Sequence, residues 1–256
     1  MLRSITINKN STYISTYPRS TKYNLRKTFT FSKGLNVILG PNGSGKSTLL
    51  KILKAWYGID GWRYYSTGYW PSTDKNEFKK SMNNEDKGIL ETVQGTECDR
   101  DVQYGVDCDQ FYGNVKESLD LENASIFNAL GIYDSNSLSS GEQRMEAQNV
   151  LTQYLESGSY SRGMGQSFNE KVVDVKPVLF FDEPTLGMAP EIEMKFFDYM
   201  LQWAAAGFQI IICTNTPFCF KKDIHYIELK RGWIESQRNM LECALKNAKE
   251  IEESLK

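Results

Sequence analysis

Nine consecutive residues constrain this chain more than any other stretch: Gly40, Pro41, Asn42, Gly43, Ser44, Gly45, Lys46, Ser47 and Thr48. An apolar run enters them (Leu35, Val37, Ile38, Leu39) and a helix-forming run from Leu49 to Trp56 leaves them. Glycines in a strand-to-helix connection let successive backbone N–H groups curl round an anion, and the helix that follows turns the positive end of its dipole toward it. Lys46 supplies a point charge to β- and γ-phosphates, and the Ser47 hydroxyl is placed to ligate Mg²⁺. An isolated Gly-rich loop would be weak evidence, but this one sits in the strand–loop–helix setting that phosphate binding requires.

A second stretch runs Val178, Leu179, Phe180, Phe181 into Asp182, Glu183 and Pro184. Four apolar residues ending in two acids suit a buried parallel strand whose carboxyl end faces the ligand crevice. Asp182 there can hold Mg²⁺ through water, and Glu183 can polarise a water for in-line attack on a γ-phosphate. A third stretch, Leu138, Ser139, Ser140, Gly141, Glu142, Gln143 and Arg144, opens a helical run. Its Ser and Gly at a helix start form an anion site, although Ser with Glu three residues on is also a capping box.

With these three motifs in the chain order loop, Leu138–Arg144 stretch and acids, residues 1–235 resemble the ATP-binding-cassette (ABC) ATPase superfamily. The family signature Leu-Ser-Gly-Gly-Gln is matched with Ser140 for Gly and Glu142 for Gln. The resemblance implies a homodimer that sandwiches two ATP–Mg²⁺, in which Ser139 and Gly141 of one copy contact the γ-phosphate held by the other. After Glu183, the position where the transporter-type pattern has Asp is Ala189, and Pro190 follows. That turn, and the run Phe208 to Phe218 with Thr214, Asn215, Thr216 and Pro217, resemble the soluble SMC, RecF and OLD-type branch. Asn215 takes the place of the branch's switch His, and Asn can neither take up a proton nor carry charge, which implies slow hydrolysis. The rival readings are an ATP-gated binding switch with negligible turnover and a transporter's nucleotide-binding subunit. His225, in the alternation from Ile224 to Leu229, is read as an ordinary strand residue rather than a substitute for the switch.

The resemblance also implies a Gln at a strand end that couples γ-phosphate and Mg²⁺ to a helical subdomain. Val102, Tyr104, Val106 and Cys108 alternate at strand period and deliver Asp109 and Gln110, so Gln110 is the first candidate. Gln94, in a polar loop signal, and Gln103, mid-strand, are weaker. Tyr13, Tyr17 or Tyr23 could stack on adenine, and the sequence does not choose among them.

The fold expected is α/β, a P-loop NTPase with a mostly parallel sheet around 35–39, 178–182 and 208–213 flanked by helices. An antiparallel β portion (1–31) precedes it, and a helical lobe (about 60–155) carries the signature. The ATPase domain then spans 1–235 and a C-terminal amphipathic helix 236–256. Leu241, Ala244, Ala248, Ile251 and Leu255 give that helix a seam too short to hold a dimer, so it is expected to pack on its own domain. The spacing from Lys46 to Ser139 leaves no room for long coiled-coil arms.

At 256 residues, 40% hydrophobic and 24% charged, the chain can bury one substantial core. Its net charge of −2 exerts no general pull on nucleic acid. No apolar run approaches the roughly 18–20 residues of a membrane helix, and the strand-like start is unlike a signal peptide, so a cytoplasmic protein without membrane insertion is expected. The five cysteines lack Cys-x-x-Cys pairs and point to neither zinc nor a disulfide framework. Residues 60–80 interleave aromatics with lysines, as either a loop pinned to the core or a nucleic-acid contact. The Gly/Ser-rich stretch 156–167 reads as an exposed loop. By analogy with the branch, the setting is DNA metabolism or defence, with DNA or a further protein as the partner.

Overall fold

The computed structural model describes residues 1–8, 10–16, 24–25, 27–57, 88–89, 91–98, 105–108, 152 and 176–254. The strands richest in aliphatic and aromatic residues become the centre of a sheet buried on both faces, as parallel strands must be. β3 (Leu35–Leu39) and β7 (Gln209–Thr214) are buried at every position, and β6 (Val178–Asp182) at all but Asp182. With β5 (Gly105–Asp107) and β8 (His225–Glu228) they form a five-stranded sheet in the order β5-β6-β7-β3-β8, with every adjacent pair parallel. All five carboxyl ends therefore lie along one edge, where an open α/β sheet places its ligands.

The strands show no polar alternation, yet their side chains divide at period two. Ile38, Val178, Phe180, Ile211 and Cys213 enter one core with α2 (Lys46–Trp56), which contributes Leu49, Leu50, Ile52 and Leu53. Leu35, Val37, Leu39, Leu179, Phe181, Ile210 and Ile212 enter the other, against Phe196, Phe197, Met200 and Trp203 of α3 (Pro190–Ala205). Burying each of the large side chains contributes about 1.5–3 kcal/mol, so the sandwich of α2, sheet and α3 fixes the edge between them.

A second sheet, antiparallel, has the order β2-β1-β4, formed by β1 (Leu2–Ile7), β2 (Thr28–Thr30) and β4 (Val93–Cys98). Leu2, Ile5, Ile7 and Phe29 carry it into the α2-side core. Gln209, 1% exposed, ties the two sheets together. Its Oε1 accepts from the Leu2 amide at 2.9 Å, and its Nε2 donates to the carbonyls of Leu2 and Ser32, each at 2.7 Å. A buried amide so fully paired carries no desolvation penalty into the core. A short helix, α1 (Thr12–Ser15), capped by Ser11, follows β1. The chain closes with a 3-10 turn (Pro217–Cys219) after β7 and with α4 (Trp233–Ser254) after β8.

Four sequence expectations shift. The helix after the glycine loop begins at Lys46 rather than Leu49. The switch strand is 209–214 rather than 208–213, because the Phe208 amide is taken by the Trp203 carbonyl at 3.1 Å, closing α3. β4 and β5 fall inside the stretch 60–155 expected to form the helical lobe, and Gln94 lies on β4 rather than in a loop. β4 is half exposed along its length, so its sequence carries little apolar signal. Trp233 and Ile234 in the first turn of α4 pack on the core and Leu241 is half-buried, while Ala244, Ala248 and Ile251 of the seam are exposed, Ile251 at 61%. Of the seam expected to pack on its own domain, the part beyond Leu241 is exposed as far as Ile251, and Leu255 lies outside the described residues. Among those residues, no helix is long and apolar enough to cross a membrane.

Candidate functional site

The site is built at the carboxyl edge from three turns, following β3, β6 and β7. The first is made by backbone. After Leu39, the Ser44 amide donates to the Pro41 carbonyl at 3.1 Å, and Gly43 and Gly45 take positive φ of 74° and 101°. Gly45 is the N-cap of α2 and makes no side-chain cap, so the helix's first amides are left for an outside acceptor. Gly40 is required for another reason: a Cβ there would stand 2.6 Å from Ser44 Oγ and 3.3 Å from Leu229 Cβ. Asn24, for which the sequence offered no signal, donates from Nδ2 to the Ser44 carbonyl at 3.0 Å and braces the loop from outside.

Lys46, 6% exposed, aims its ammonium along this loop. Nζ lies 3.1 Å from the Gly40 carbonyl and 3.3 Å from Glu183 Oε1. Beneath the loop, Cys213 donates its thiol to the Lys46 carbonyl at 3.3 Å. Burial first, then the Asp182 charge, pushes that thiol well above its usual range and keeps it neutral, with Lys46 opposing the shift.

The turn after β6 carries the two acids. Ser47 Oγ donates to Asp182 Oδ1 at 3.0 Å, which brings helix α2 and strand β6 to one point. Glu183 continues the pairing with β7, its amide donating to the Cys213 carbonyl at 2.8 Å, but at φ 49°. A non-glycine residue in the left-handed region costs on the order of 1–2 kcal/mol, and this one turns its carboxylate onto Lys46. From there two reverse turns, closed by Leu186 N–H to the Glu183 carbonyl and Met188 N–H to the Thr185 carbonyl, lead into α3.

The turn after β7 is made by side chains. Asn215 Nδ2 donates to Asn42 Oδ1 at 3.0 Å, joining this turn to the first. The Thr216 amide donates to Thr214 Oγ1 at 3.2 Å, and Thr216 Oγ1 caps the 3-10 turn by accepting from the Phe218 amide at 3.3 Å. Thr216 Oγ1 also donates to Glu193 Oε2 at 2.5 Å. Burial, reinforced by the nearby Glu183 charge, raises the Glu193 carboxyl above its ordinary pKa despite that bond.

The arrangement fits a nucleoside triphosphate with Mg²⁺. Ser44 Oγ is buried and has no hydrogen-bond partner among the described residues, which is a donor held in reserve beside the loop amides. A hydroxyl, a carboxylate and an ammonium converge next to it, the hard-oxygen donor set and counter-charge such a group takes. The structure thus brings together Pro41, Asn42, Gly43, Ser44, Gly45, Lys46, Ser47, Thr48, Asp182, Glu183 and Asn215. Gln110, Gln103, Ser139, Gly141, Tyr17, Tyr23 and the stretches 60–80 and 156–167 lie outside the described residues. Gln94 belongs to the antiparallel sheet, and Tyr13 packs against the α2-side core. His225 is a strand residue, its Nε2 2.9 Å from the Thr30 carbonyl.

Three solved structures are similar in outline. An ATP-binding cassette of an ABC transporter in its ADP conformation matches at 16% identity and TM-score 0.40, covering 89% of this chain and 87% of its own. A nucleotide-free cassette from an ABC transporter matches at 15% and 0.40, covering 90% and 88%. A dimeric bacterial ABC transporter cassette matches at 16% and 0.36, covering 80% and 87%. No curated protein matches the chain by sequence. The sequence model of the family described as AAA domain matches residues 19–171, more than half of the 256. That span holds the glycine loop, Lys46, Ser47 and the whole of α2, and the chain belongs to the AAA domain family.

Proposed function

We propose that this protein is an ATPase of the ABC type, of the soluble branch resembling SMC, RecF and OLD proteins, that hydrolyses ATP slowly. The observation that carries the reading is the convergence of Ser47 on Asp182 at 3.0 Å and of Lys46 on Glu183 at 3.3 Å. Ser47 and Asp182 would hold Mg²⁺, with Gln110 as a third ligand, and the ion when bound supplies charge neutralisation on the phosphate oxygens. Loop amides, Ser44 Oγ and Lys46 would hold the phosphates. A phosphate on Lys46 competes with the Glu183 carboxylate for the same ammonium, and the carboxylate it releases is free to take a proton from the attacking water. Asn215, already within 3.0 Å of the loop's Asn42, orients that water by hydrogen bonding without proton transfer, which supports low turnover.

In the same reading two copies form an ATP-dependent homodimer in which Ser139 and Gly141 complete the other copy's site, and hydrolysis reopens it. DNA metabolism or defence is the proposed setting, and a cytoplasmic location goes with it; both rest on the resemblance. The second reading, an ATP-gated binding switch, is favoured by one observation, the uncharged Asn215 at the phosphate loop.

The test is Mg²⁺-dependent ATP turnover together with molar mass by light scattering, with and without ATP, in wild type and Glu183→Gln. Low turnover lost in Glu183→Gln, with a mass that doubles in ATP and most strongly in that variant, is expected. A wild-type rate equal to that of Lys46→Ala would leave only the switch. A single-copy mass in every condition would remove the homodimer.

A further inference from the structure

Glu193 lies outside every motif, yet the edge of the site is built onto it. It stands in the first turn of α3, its amide held by the Ala189 carbonyl at 3.0 Å. Its carboxylate accepts the Thr216 hydroxyl, and Thr216 is the residue that fixes the switch turn in both directions, back to Thr214 and forward to Phe218. The residue before it, Asn215, is the one that reaches Asn42. Since α3 begins seven residues after Glu183, the Glu193–Thr216 bond also links the turn carrying the acid to the turn carrying the amide. A second tie, Lys221 to the Met194 carbonyl at 2.8 Å and to the Asp198 carboxylate, docks the same helix on the chain beyond the 3-10 turn, where Asp198 is 58% exposed.

We propose that Glu193 is a positioning residue for ATP turnover: by holding Thr216 it keeps the switch turn, and Asn215 with it, against the phosphate loop. This rests on the ATPase reading above. Chemistry that depends on a neutral amide orienting a water has no proton transfer to compensate for misplacement, so it depends on the amide's position. The carboxylate is half-buried near Glu183 and its bond to Thr216 is partly shielded from water, which is consistent with a positional role.

The test uses the full chain. In Glu193→Ala and in Thr216→Val, kcat is expected to fall about tenfold or more with KM for ATP within about twofold, because the loss is of transition-state geometry and not of ground-state binding. The double variant falls no further than either single one. Glu193→Gln keeps an acceptor at the same place and restores at least half of the rate, and Asp198→Ala, which breaks only the neighbouring tie, leaves it unchanged. In parallel, hydrogen exchange of residues 214–219 without nucleotide is expected to speed up in Glu193→Ala and Thr216→Val but not in Glu193→Gln. Unchanged exchange there, a wild-type kcat in Glu193→Ala, or a loss confined to KM would overturn the proposal. If the wild type itself turns over no faster than Lys46→Ala, the ATPase reading fails, and the exchange experiment alone decides whether Glu193 positions the turn.

Discussion

The turns after β3 and after β7 lie side by side at one edge of the sheet and are held in opposite ways. The first is shaped by backbone: two glycines at positive φ, a third with no room for a Cβ, and an uncapped helix start. The second is shaped by side chains: Asn215 on Asn42, Thr216 on Thr214 and on Glu193, and a hydroxyl cap on the 3-10 turn. A backbone-shaped turn constrains residue type locally and presents amides that cannot be substituted away. A side-chain-shaped turn leaves its residues replaceable, so its rigidity and its chemistry can be tuned by neighbours distant in sequence.

The largest effect expected is on the one side chain that the backbone-shaped turn does depend on. Lys46→Ala removes a charge-assisted bond of about 1.5–3 kcal/mol to phosphate, so ATP affinity drops about 10- to 150-fold. Isothermal titration measures it, and an unchanged affinity would mean that the loop amides bind alone. Next come the glycines. Gly40→Ala sets a methyl 2.6 Å from Ser44 Oγ, and Gly45→Ala forces alanine to φ 101°. Each should cost about 1–3 kcal/mol in chemical denaturation, the first as overpacking and the second as backbone strain. The two causes separate in one further variant. Ser44→Ala removes the closest atom and should recover part of the loss at Gly40 and none of it at Gly45.

What could be read from sequence follows the same division. β3 and β6 fall where the apolar runs place them, and the glycine loop declares itself because backbone demands are met by residue type at fixed spacing. The start of α2, three residues ahead of the helix-forming run, is not legible because its cap is a glycine conformation, not a capping side chain. Asn24 and Glu193 gave no signal, since each acts through a single bond across 20 and 23 residues respectively. The strand that carries Gln94 is not legible because β4, an edge strand half in solvent, has no apolar period. The seam of α4 has helical period, but period says only which residues share a face, not that anything covers it.

Glu183 belongs to both kinds of turn, a charged residue held where glycine would be comfortable, at φ 49°. Glu183→Ala and Glu183→Gly both lose the contact with Lys46, so their difference reports the backbone alone. At an ordinary position glycine is the less stable of the two by roughly 0.5–1 kcal/mol. Here the order should invert, with Glu183→Gly more stable by about 1 kcal/mol in urea denaturation, since only alanine keeps the left-handed strain. Alanine equal to or above glycine would show that the turn relaxes, and that the carboxylate is not held in place at the expense of stability.

The smallest effect tests the seam between the two turns. Asn42 and Asn215 share one exposed hydrogen bond at 3.0 Å. In a double-mutant cycle of Asn42→Ala and Asn215→Ala, read from urea denaturation, the coupling should be about 0.5 kcal/mol, the low end for a neutral bond in contact with water. Read instead from kcat, the same cycle should couple more strongly, because in turnover the bond sets where the Asn215 amide points and not merely whether two side chains touch. Equal coupling in the two measurements would make the bond a structural contact and nothing more. If instead the coupling vanishes in both, the phosphate loop and the switch turn are independent, and the side-chain-shaped half of the site owes its position to Thr216 and α3 alone.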